Sequence, residues 1–600
     1  MSQLFKELKR RNVFSVGIAY VVVAWLILQV VDLVLDAVPA PAWVMQVFLL
    51  GTAVGLPVAL LFAWAFEMTP EGVKREKDVD RSQSITRQTG RKLDYVIFAV
   101  LISAVAILLV DKFVRQDETA GIAVTDKSVA VLPFVAMSSG PDDEYFADGL
   151  TEEILNSLAQ LPDLLVSART SAFYFKGQDI PVGEIALKLG VAHIVEGSVR
   201  RDGEQLRVTA QLVRASDGFH LWSDTYDRSA GSSFAVQSDI AEKVAASLDV
   251  VLDDEQRESM REIGLRDPEA FVAYQKGVEI FQLAHGNTDR LAMLERANTY
   301  FDRALQLAPD LTAAYELHAD YYAHVIIDSG INDVTTATIE DARQELKQDF
   351  ENAIRHALTD TQSLGLAFDL AFLLGDWDRL PSMFGELVGN AGCERPSWLD
   401  IYGFAFQLAD ESIPLIQRAL ECDPMNWSYW TTLTQAMIWA GDAEAAIEIA
   451  RNGLNAVTHV RIKEALTTAL IAAGRVDDAK RNVDSEFRSD RRLFRYQTML
   501  ASARSDTEEL KRILETYASE ITDTELGVIA ISGNRELANE MAHRIDAQPY
   551  GYLRLMTSVM TCHCGAPFDL EATPDFARRL EEAELPWPPV SQIDWQLKDW

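Results

Sequence analysis

Long uncharged apolar runs dominate the first part of the chain. Three of them cover residues 13–35, 43–66 and 93–110. A helix needs roughly 20 apolar residues to cross a hydrocarbon core about 30 Å thick, and each run approaches or reaches that length. Residues 1–112 are therefore predicted to form a three-helix membrane anchor. Charged residues are almost absent from the middle of the runs, which favours an anchor over a transport path.

Basic residues around these runs predict an orientation. Four of them precede the first run, whereas the connector 36–42 has no Lys or Arg, and the second connector, 67–92, has seven. The positive-inside rule then places the N-terminus in the cytoplasm. Three crossings would put the large C-terminal region in the periplasm of a bacterium, held at its inner membrane. Residues 113–127 are polar and are predicted to be a linker.

Residues 128–252 have the pattern of a small mixed α/β domain. Short β-branched runs alternate with segments of helical periodicity. Asp202-Gly203 is a strong hairpin signal between a strand at 192–201 and the alternating strand at 206–214 that returns beside it. Residues 253–266 are predicted to be a connector. The predicted order is β-α-β-α-β-β-β-α, at 128–134, 142–161, 164–175, 182–189, 192–201, 206–214, 219–226 and 234–252.

Several ordered motifs in this domain carry a family resemblance. They are SVAVLPF at 128–134, EYFADGLTEEI at 144–154, ARTSAF at 168–173 and GVAHIVEGSVRRDGEQLRVTAQLV at 190–213. Together they resemble the TolB-like amino-terminal domain of bacterial membrane-anchored proteins, which is related to FlgO- and CsgG-like envelope domains and often precedes tetratricopeptide repeats. The resemblance implies contacts with other proteins rather than catalysis.

Polar residues within these motifs have two interpretations each. Asp148-Gly149 is predicted to form a tight turn or a helix start, with Thr151 as the N-cap. Arg169, Arg200 and Arg201 could face a carboxylate of a partner. In so acidic a chain, internal pairs with nearby acids are the favoured interpretation.

From residue 267 onward, strand signals nearly vanish and amphipathic helices predominate. Residues 267–560 are predicted to be tetratricopeptide-like helix pairs, which stack by burying apolar faces on their neighbours and typically present a concave surface to a peptide or protein. Gly441 and Gly474 lie 33 residues apart, as do Ala446 and Ala479, and the number of repeats stays open. The residues at repeat-like positions are Ala297, Phe301, Ala304, Pro309, Tyr315, Ala319, Tyr322, Ala419, Pro424, Trp430, Gly441, Ala446, Gly474 and Ala479.

The chain has four cysteines, Cys393, Cys422, Cys562 and Cys564. Disulfides are feasible if the Cα atoms of a pair come within about 6 Å. His563 between the last two thiols also suggests a metal or redox site, but zinc usually takes four ligands, so a disulfide or unpaired thiols is the favoured interpretation and no metal site is predicted. The tail 561–600 is expected to cap the repeats, with an exposed partner-binding segment as the alternative.

Charge and the absence of catalytic motifs set the expected function. The formal net charge is −35, and beyond residue 115 there are 42 basic against 80 acidic residues. Such a surface disfavours nucleic acid. No catalytic residue and no cofactor is predicted, because the sequence has no Gly-rich phosphate loop or assembled nucleophile and base. We expect a non-enzymatic scaffold or adaptor for cell-envelope proteins or peptides. The alternative is a signal-transducing or regulatory membrane protein related to the non-catalytic parts of nucleotide-cyclase-type proteins.

Overall fold

The computed structural model is mostly helical, with a small mixed sheet. The chain divides into two compact units, residues 1–121 and 122–600. In the first unit the described residues are 16–17, 20–21, 23–25, 28, 51–52, 55–57, 59–60, 66–69 and 72–75. In the second they are 126–600 apart from 141, 160, 162–163, 204, 230–232, 249, 251–266, 286–288, 328–335, 391, 394, 484–489 and 599.

The described part of the first unit contains a short antiparallel hairpin. Strand β1 is Phe66–Thr69 and strand β2 is Gly72–Arg75, with Phe66 opposite Arg75. The second predicted membrane span ended at residue 66. That residue instead begins a strand, so the helix predicted there does not extend to the end of the apolar run.

The prediction of three membrane-spanning helices is wrong for the residues that the structure describes. Among them, no helix is long and apolar enough to cross a membrane. The predicted span 93–110, and most of 13–35 and 43–66, lie outside the described residues. An apolar run meets the hydropathy requirement, but a span also needs one continuous helix of roughly 20 residues. The expected anchor, lipid contact, inner-membrane location and periplasmic placement all rested on those spans and are withdrawn.

A mixed sheet forms the centre of the α/β domain, in the order β5-β3-β6-β7-β8, with β4 paired to β6. Strand β3 runs parallel to β5 and β6, whereas β6, β7 and β8 are antiparallel. Asp202 pairs with Gln205 where Asp202-Gly203 predicted a hairpin, and Gly203 has φ +59°. The strands are β3 Ser128–Val131, β4 Val135–Ala136, β5 Leu165–Val166, β6 His193–Asp202, β7 Gln205–Arg214 and β8 His220–Ser229.

Helices cover this sheet on both faces. They are α1 Asp143–Ala159, α2 Arg169–Phe173, α3 Val182–Leu189 and α4 Ser233–Ser247. Side chains alternate along a strand. Val129 and Val131 therefore share a core with α1 and α4, while Ala130 and Ile194 belong to a cluster that includes α3 and helices of the following region.

One predicted strand is much shorter than expected. The sequence predicted a strand over 164–175, but only β5 is extended, and α2 follows it. The reason lies in a backbone hydrogen bond outside the sheet. The amide of Ala168 donates to the carbonyl oxygen of Cys422 at 3.1 Å, so the chain leaves the sheet there.

The region after residue 267 is a succession of helices, mostly in antiparallel pairs. Helices at residues 427 and 460 start 33 residues apart, which is the spacing of the repeat-like glycines, whereas the other pairs are more unevenly spaced. Short 3-10 helices lie at Trp377–Arg379, Ala518–Glu520, Asp523–Glu525 and Leu570–Ala572. The α-helices are α5 Pro268–Ala284, α6 Arg290–Leu307, α7 Thr312–Ile327, α8 Thr336–Arg355, α9 Asp360–Leu374, α10 Leu380–Gly389, α11 Leu399–Ala405, α12 Ala409–Cys422, α13 Trp427–Trp439, α14 Ala443–Ala456, α15 Val460–Ala472, α16 Val476–Val483, α17 Asp490–Ala503, α18 Thr507–Thr516, α19 Leu526–Ile531, α20 Arg535–Asp546, α21 Gly551–Cys562 and α22 Pro574–Glu582.

Helix α21 packs against two helices from early in the array. Most of its residues are buried, among them Tyr552 and Arg554. The hydroxyl of Tyr552 donates to the carbonyl of Leu373, at the end of α9, at 2.8 Å. Arg554 donates to the carbonyl of Ile327, the last residue of α7. Helices from early and late in the array therefore meet at α21.

The C-terminal tail packs back onto the array. The indole N–H of Trp595 donates to the carbonyl of Cys562 at 2.8 Å, and the amides of Gln592 and Ile593 donate to the carbonyl of His563. Trp595 is 3% exposed. The described tail therefore takes the capping arrangement rather than that of an exposed segment.

Candidate functional site

The first contact between the α/β domain and the helical array is between α1 and α5. Gly149 of α1 faces the ring of Phe271 of α5, and a Cβ atom at position 149 would overlap that ring, with even Cγ at 3.2 Å. Phe271 is 4% exposed. Glycine is therefore required at this position by the close approach of the two helices.

The prediction of a turn at Asp148-Gly149 with Thr151 as an N-cap is wrong. Helix α1 begins at Asp143, so these residues lie inside it. The buried hydroxyl of Thr151 donates to the carbonyl of Ala147 at 2.8 Å and accepts from the amide of Phe134 at 2.9 Å. A threonine inside a helix often bonds back to the carbonyl four residues earlier, and here it also holds the loop after β3.

A polar triangle joins α1, α2 and α5. Arg169 Nε lies 2.8 Å from Glu152 Oε2, and its Nη2 donates to Gln275 Oε1 at 2.9 Å. The amide of Gln275 donates to the same carboxylate oxygen of Glu152. Arg169 thus makes the internal pair that the sequence favoured. The structure places Arg201 over the ring of Phe146 at 5.9 Å, and leaves Arg200 exposed opposite Arg207.

Further polar contacts extend along the same interface. Lys276 Nζ lies 2.6 Å from Asp142 Oδ1. The hydroxyl of Tyr145 donates to Glu279 Oε2 at 2.6 Å, and this hydrogen bond raises the pKa of Tyr145 to about 12. Within the α/β domain, Lys176 bridges Asp148 and Glu144, both in α1. Burial raises the pKa of Asp148, although the charge of Lys176 opposes the shift.

The second contact joins α2 to the turn between α12 and α13. The hydroxyl of Ser171 donates to Asp423 Oδ1 at 2.6 Å and accepts from the amide of Met425 at 2.8 Å. Burial raises the pKa of Asp423, and the hydrogen bond from Ser171 opposes that shift. Cys422, in the same turn, is disulfide-bonded to Cys393, with Cα atoms 5.6 Å apart. The α/β domain is therefore held at two points of the array that are far apart in sequence.

The small residues predicted at repeat positions are helix-packing residues. The two glycines, Gly441 and Gly474, end α13 and α15 with φ of +84° and +72°. Six alanines and one phenylalanine at these positions are fully buried, with 0% exposure: Ala297, Phe301, Ala304, Ala319, Ala419, Ala446 and Ala479.

The larger predicted residues repeat one contact in two places. The hydroxyl of Tyr315 donates to the carbonyl of Pro309 at 3.1 Å, and the indole of Trp430 donates to the carbonyl of Pro424 at 2.8 Å. In both cases the aromatic residue comes six positions after the proline. Tyr322 is half-buried and makes no such contact with a proline among the described hydrogen bonds.

Two important groups were not predicted from the sequence. Gly277 of α5 faces Phe301 of α6, and a Cβ atom there would lie 2.5 Å from the ring. A glycine 24 residues before a predicted packing phenylalanine was a usable signal. Gln275 and Asp423 had no such signal, because their roles depend on contacts with residues more than a hundred positions away.

Cys562 and Cys564 form the second disulfide, and no cysteine of the chain is free. His563, between them, is 2% exposed and stacks on Trp439 with ring centroids 5.0 Å apart. These groups and those of the two junctions serve contacts within the chain. The role supported by the contacts of the junction residues is to hold the α/β domain on the array.

Within residues 122–600, the mixed α/β domain is thus docked at two points on the array of helices. No known family model matches the sequence. The chain is 36% identical over 189 residues to a protein of Rhizobium meliloti (strain 1021) described as putative adenylate cyclase 3. That match covers 31% of each protein, so the chain spans about a third of the length of this relative.

Proposed function

We propose that this chain is a non-enzymatic scaffold that binds a partner protein along the open edge of its sheet. The two junctions support a scaffold, because hydrogen bonds and an ion pair to α5, together with buried hydrogen bonds to the α12–α13 turn, hold the α/β domain in one position. A fixed position is what a binding surface needs in order to avoid an ordering cost on association.

The packing of α21 makes the array a less favourable binding surface than the sheet. The α21 residues Tyr552 and Leu553 are 4% and 1% exposed, and the helix already packs against α7 and α9. The sheet offers a more accessible surface in β8, the last strand in the sheet order among the described residues.

The single observation that carries the proposal is the geometry of β8. It is ten residues long, pairs with β7 on one side, and has most of its side chains exposed. The amide of Thr225 donates to the carboxylate of its neighbour Asp224 at 2.8 Å, so this N–H points away from β7. Because amides alternate along an antiparallel strand, those of Ser223 and Asp227 point the same way. An extended segment of a partner can add to such an edge.

The chemistry of the partner follows from charge. The chain beyond residue 115 has 80 acidic against 42 basic residues, and Asp224 is exposed on the edge itself. Phe219, just before β8, is 68% exposed and offers an apolar anchor. The occupant we propose is an extended basic segment of a partner protein that carries an apolar side chain.

Photocrosslinking tests this proposal. A crosslinking amino acid at Ser223 in the full chain, expressed in its own cells, should give a specific adduct, and the captured protein is then purified. Its affinity is measured for the unmodified chain, for Thr225→Pro and for Thr225→Val. Proline removes the outward amide and blocks strand addition, so we expect at least about tenfold weaker binding. Valine keeps the amide and should bind normally. Equal affinities of the two variants would contradict the proposal.

A second candidate function is a regulatory role in a nucleotide-cyclase system, and the match to the putative cyclase favours it. Incubation of the purified chain with ATP or GTP and Mg²⁺ or Mn²⁺ tests the enzymatic form of this idea. Robust formation of a cyclic nucleotide would overturn the non-enzymatic assignment. If the partner captured at Ser223 is itself a cyclase, the scaffold and regulatory functions are the same.

A further inference from the structure

Three potential metal ligands meet between α5 and α7, away from the two junctions. His285 follows α5, and Asp320 and His324 lie one turn apart on α7. Their ligand atoms all lie within 4.8 Å of one another. We propose that His285, Asp320 and His324 bind a transition-metal ion of the Zn²⁺ type.

The distances suit a tetrahedral ion. His285 Nε2 lies 3.3 Å and His324 Nε2 lies 3.7 Å from the same oxygen, Asp320 Oδ2. Ligand atoms about 2.0–2.2 Å from a tetrahedral ion are separated by roughly 3.4 Å. The two separations therefore need only small side-chain adjustments to accept an ion between the three groups.

The hydrogen bond of His285 selects the ring nitrogen that a metal requires. Its Nδ1 lies 3.0 Å from the carbonyl oxygen of Phe281, which can only accept, so Nδ1 carries the proton. In the neutral ring, Nε2 is then the atom with the lone pair, and this is the atom that faces Asp320. Metal-binding histidines are commonly oriented by such a bond from the other ring nitrogen.

An ion pair between protonated His285 and Asp320 is the competing explanation. Such a pair needs one imidazole, yet a second Nε2, that of His324, approaches the same carboxylate oxygen. The charge of Arg290 opposes cation binding at His285, whereas the charge of Asp320 favours it. The two explanations differ in whether the metal-free chain takes up an ion.

Exposure and ligand type narrow the class of ion. The side chains of His285, Asp320 and His324 are 32%, 26% and 14% exposed, so a water molecule can reach the fourth position. Two imidazoles with one carboxylate suit Zn²⁺, Cu²⁺ or Ni²⁺ rather than Ca²⁺ or Mg²⁺, which prefer oxygen ligands. A bound ion would tie the end of α5 to α7.

Zinc titration of the full chain tests the proposal. The protein is stripped of metal and kept without reductant so that its cysteines remain paired, and Zn²⁺ is titrated in competition with a chromophoric chelator. We expect one Zn²⁺ per chain, and at least about tenfold weaker binding in His285→Ala and His324→Ala. The matched control is His543→Ala, an exposed histidine on α20, which should bind Zn²⁺ as the unmodified chain does.

A second measurement covers variants that fail to fold. X-ray absorption of the zinc-loaded unmodified chain should show nitrogen and oxygen ligands at about 2.0–2.2 Å without sulfur. Asp320→Asn, which keeps the side-chain shape, should also weaken binding. The proposal is overturned if less than one Zn²⁺ binds, if sulfur ligands are found, or if folded His285→Ala and His324→Ala variants bind as tightly as His543→Ala.

Discussion

Gly149 of the α/β domain and Phe271 of the helical array are in such close contact that any side chain at position 149 would overlap the phenylalanine ring. This pair sets how closely α1 approaches α5. The glycine belongs to the motif EYFADGLTEEI, in which the sequence predicted a tight turn or a helix start at Asp148-Gly149. Because Gly149 has no side chain, it leaves space for the ring of Phe271 of the helical array.

Gly149→Ala should lower the free energy of unfolding by about 1–3 kcal/mol, the usual effect of overpacking a buried contact. This loss would occur even though alanine is the better helix former. Urea unfolding measures it. The matched control is Gly385→Ala in α10, where no atom lies within 4 Å of the added carbon. That variant should gain about 0.5–1 kcal/mol. Similar effects at the two positions would contradict the close-contact explanation.

Arg169→Met tests the polar triangle with Glu152 and Gln275. The change keeps an apolar stem and removes the guanidinium, so the partly buried carboxylate of Glu152 and the amide oxygen of Gln275 each lose one donor. Since the ion-paired side chains are 22% and 12% exposed, solvent screens part of the loss. We expect about 1–3 kcal/mol of destabilisation in urea unfolding.

The control for this variant is Arg207→Met. Arg207 pairs with Asp227 at 2.6 Å, and both side chains are more than half exposed. An exposed pair contributes little, so the loss there should be clearly smaller than that of Arg169→Met. If Arg169→Met is no more destabilising than Arg207→Met, the triangle does not hold the domains together.

Local patterns predicted those parts of the fold that depend on local physics. The hairpin at Asp202-Gly203 formed where turn chemistry placed it, and the alternation over β7 matches its burial. Small residues at helical spacing, such as Ala297 and Ala446, predicted helix packing because a close helix approach needs a small side chain. Each of these signals lies within a few residues of the structure that it specifies.

Predictions failed where distant residues decide the conformation. Thr151 is a residue type that often caps helices, but its hydroxyl accepts a hydrogen bond from the amide of Phe134, seventeen residues earlier. The segment after β5 leaves the sheet because Ala168 donates to Cys422. The packing of α21 on the array likewise depends on the hydrogen bond from Tyr552 to Leu373. None of these pairings has a signature in one sequence.

Replacing both Cys393 and Cys422 by alanine should lower the free energy of unfolding by about 3–4 kcal/mol, the loop-entropy effect expected for a crosslink spanning 29 residues. Because the carbonyl of Cys422 accepts from Ala168, hydrogen exchange of that amide should also accelerate. The amides that pair β6 with β7 serve as the internal control. Equal acceleration at both places would indicate a global loss of stability rather than a looser junction.

His563 provides a pH-dependent test of the buried core. Its ring is 2% exposed, and within the described part of the chain neither ring nitrogen has a hydrogen-bond partner. Burial lowers the pKa of His563 to about 4. The unfolded chain binds a proton near pH 6.5 and the folded chain does not, so the stability associated with this residue is complete above that pH and is lost as the pH falls toward 4.

His563→Phe should reduce this acid sensitivity. Phenylalanine keeps the stack on Trp439 and removes the titrating group, so the fall in unfolding free energy between pH 7 and pH 5 should be smaller than in the unmodified chain by about 2 kcal/mol. Urea unfolding at both pH values measures the difference, which cancels the contribution of carboxylates common to both proteins. His543→Phe, at an exposed position, should leave the pH dependence unchanged. Parallel profiles for His563→Phe and the unmodified chain would mean that the His563 ring is already protonated when buried, or that solvent reaches it.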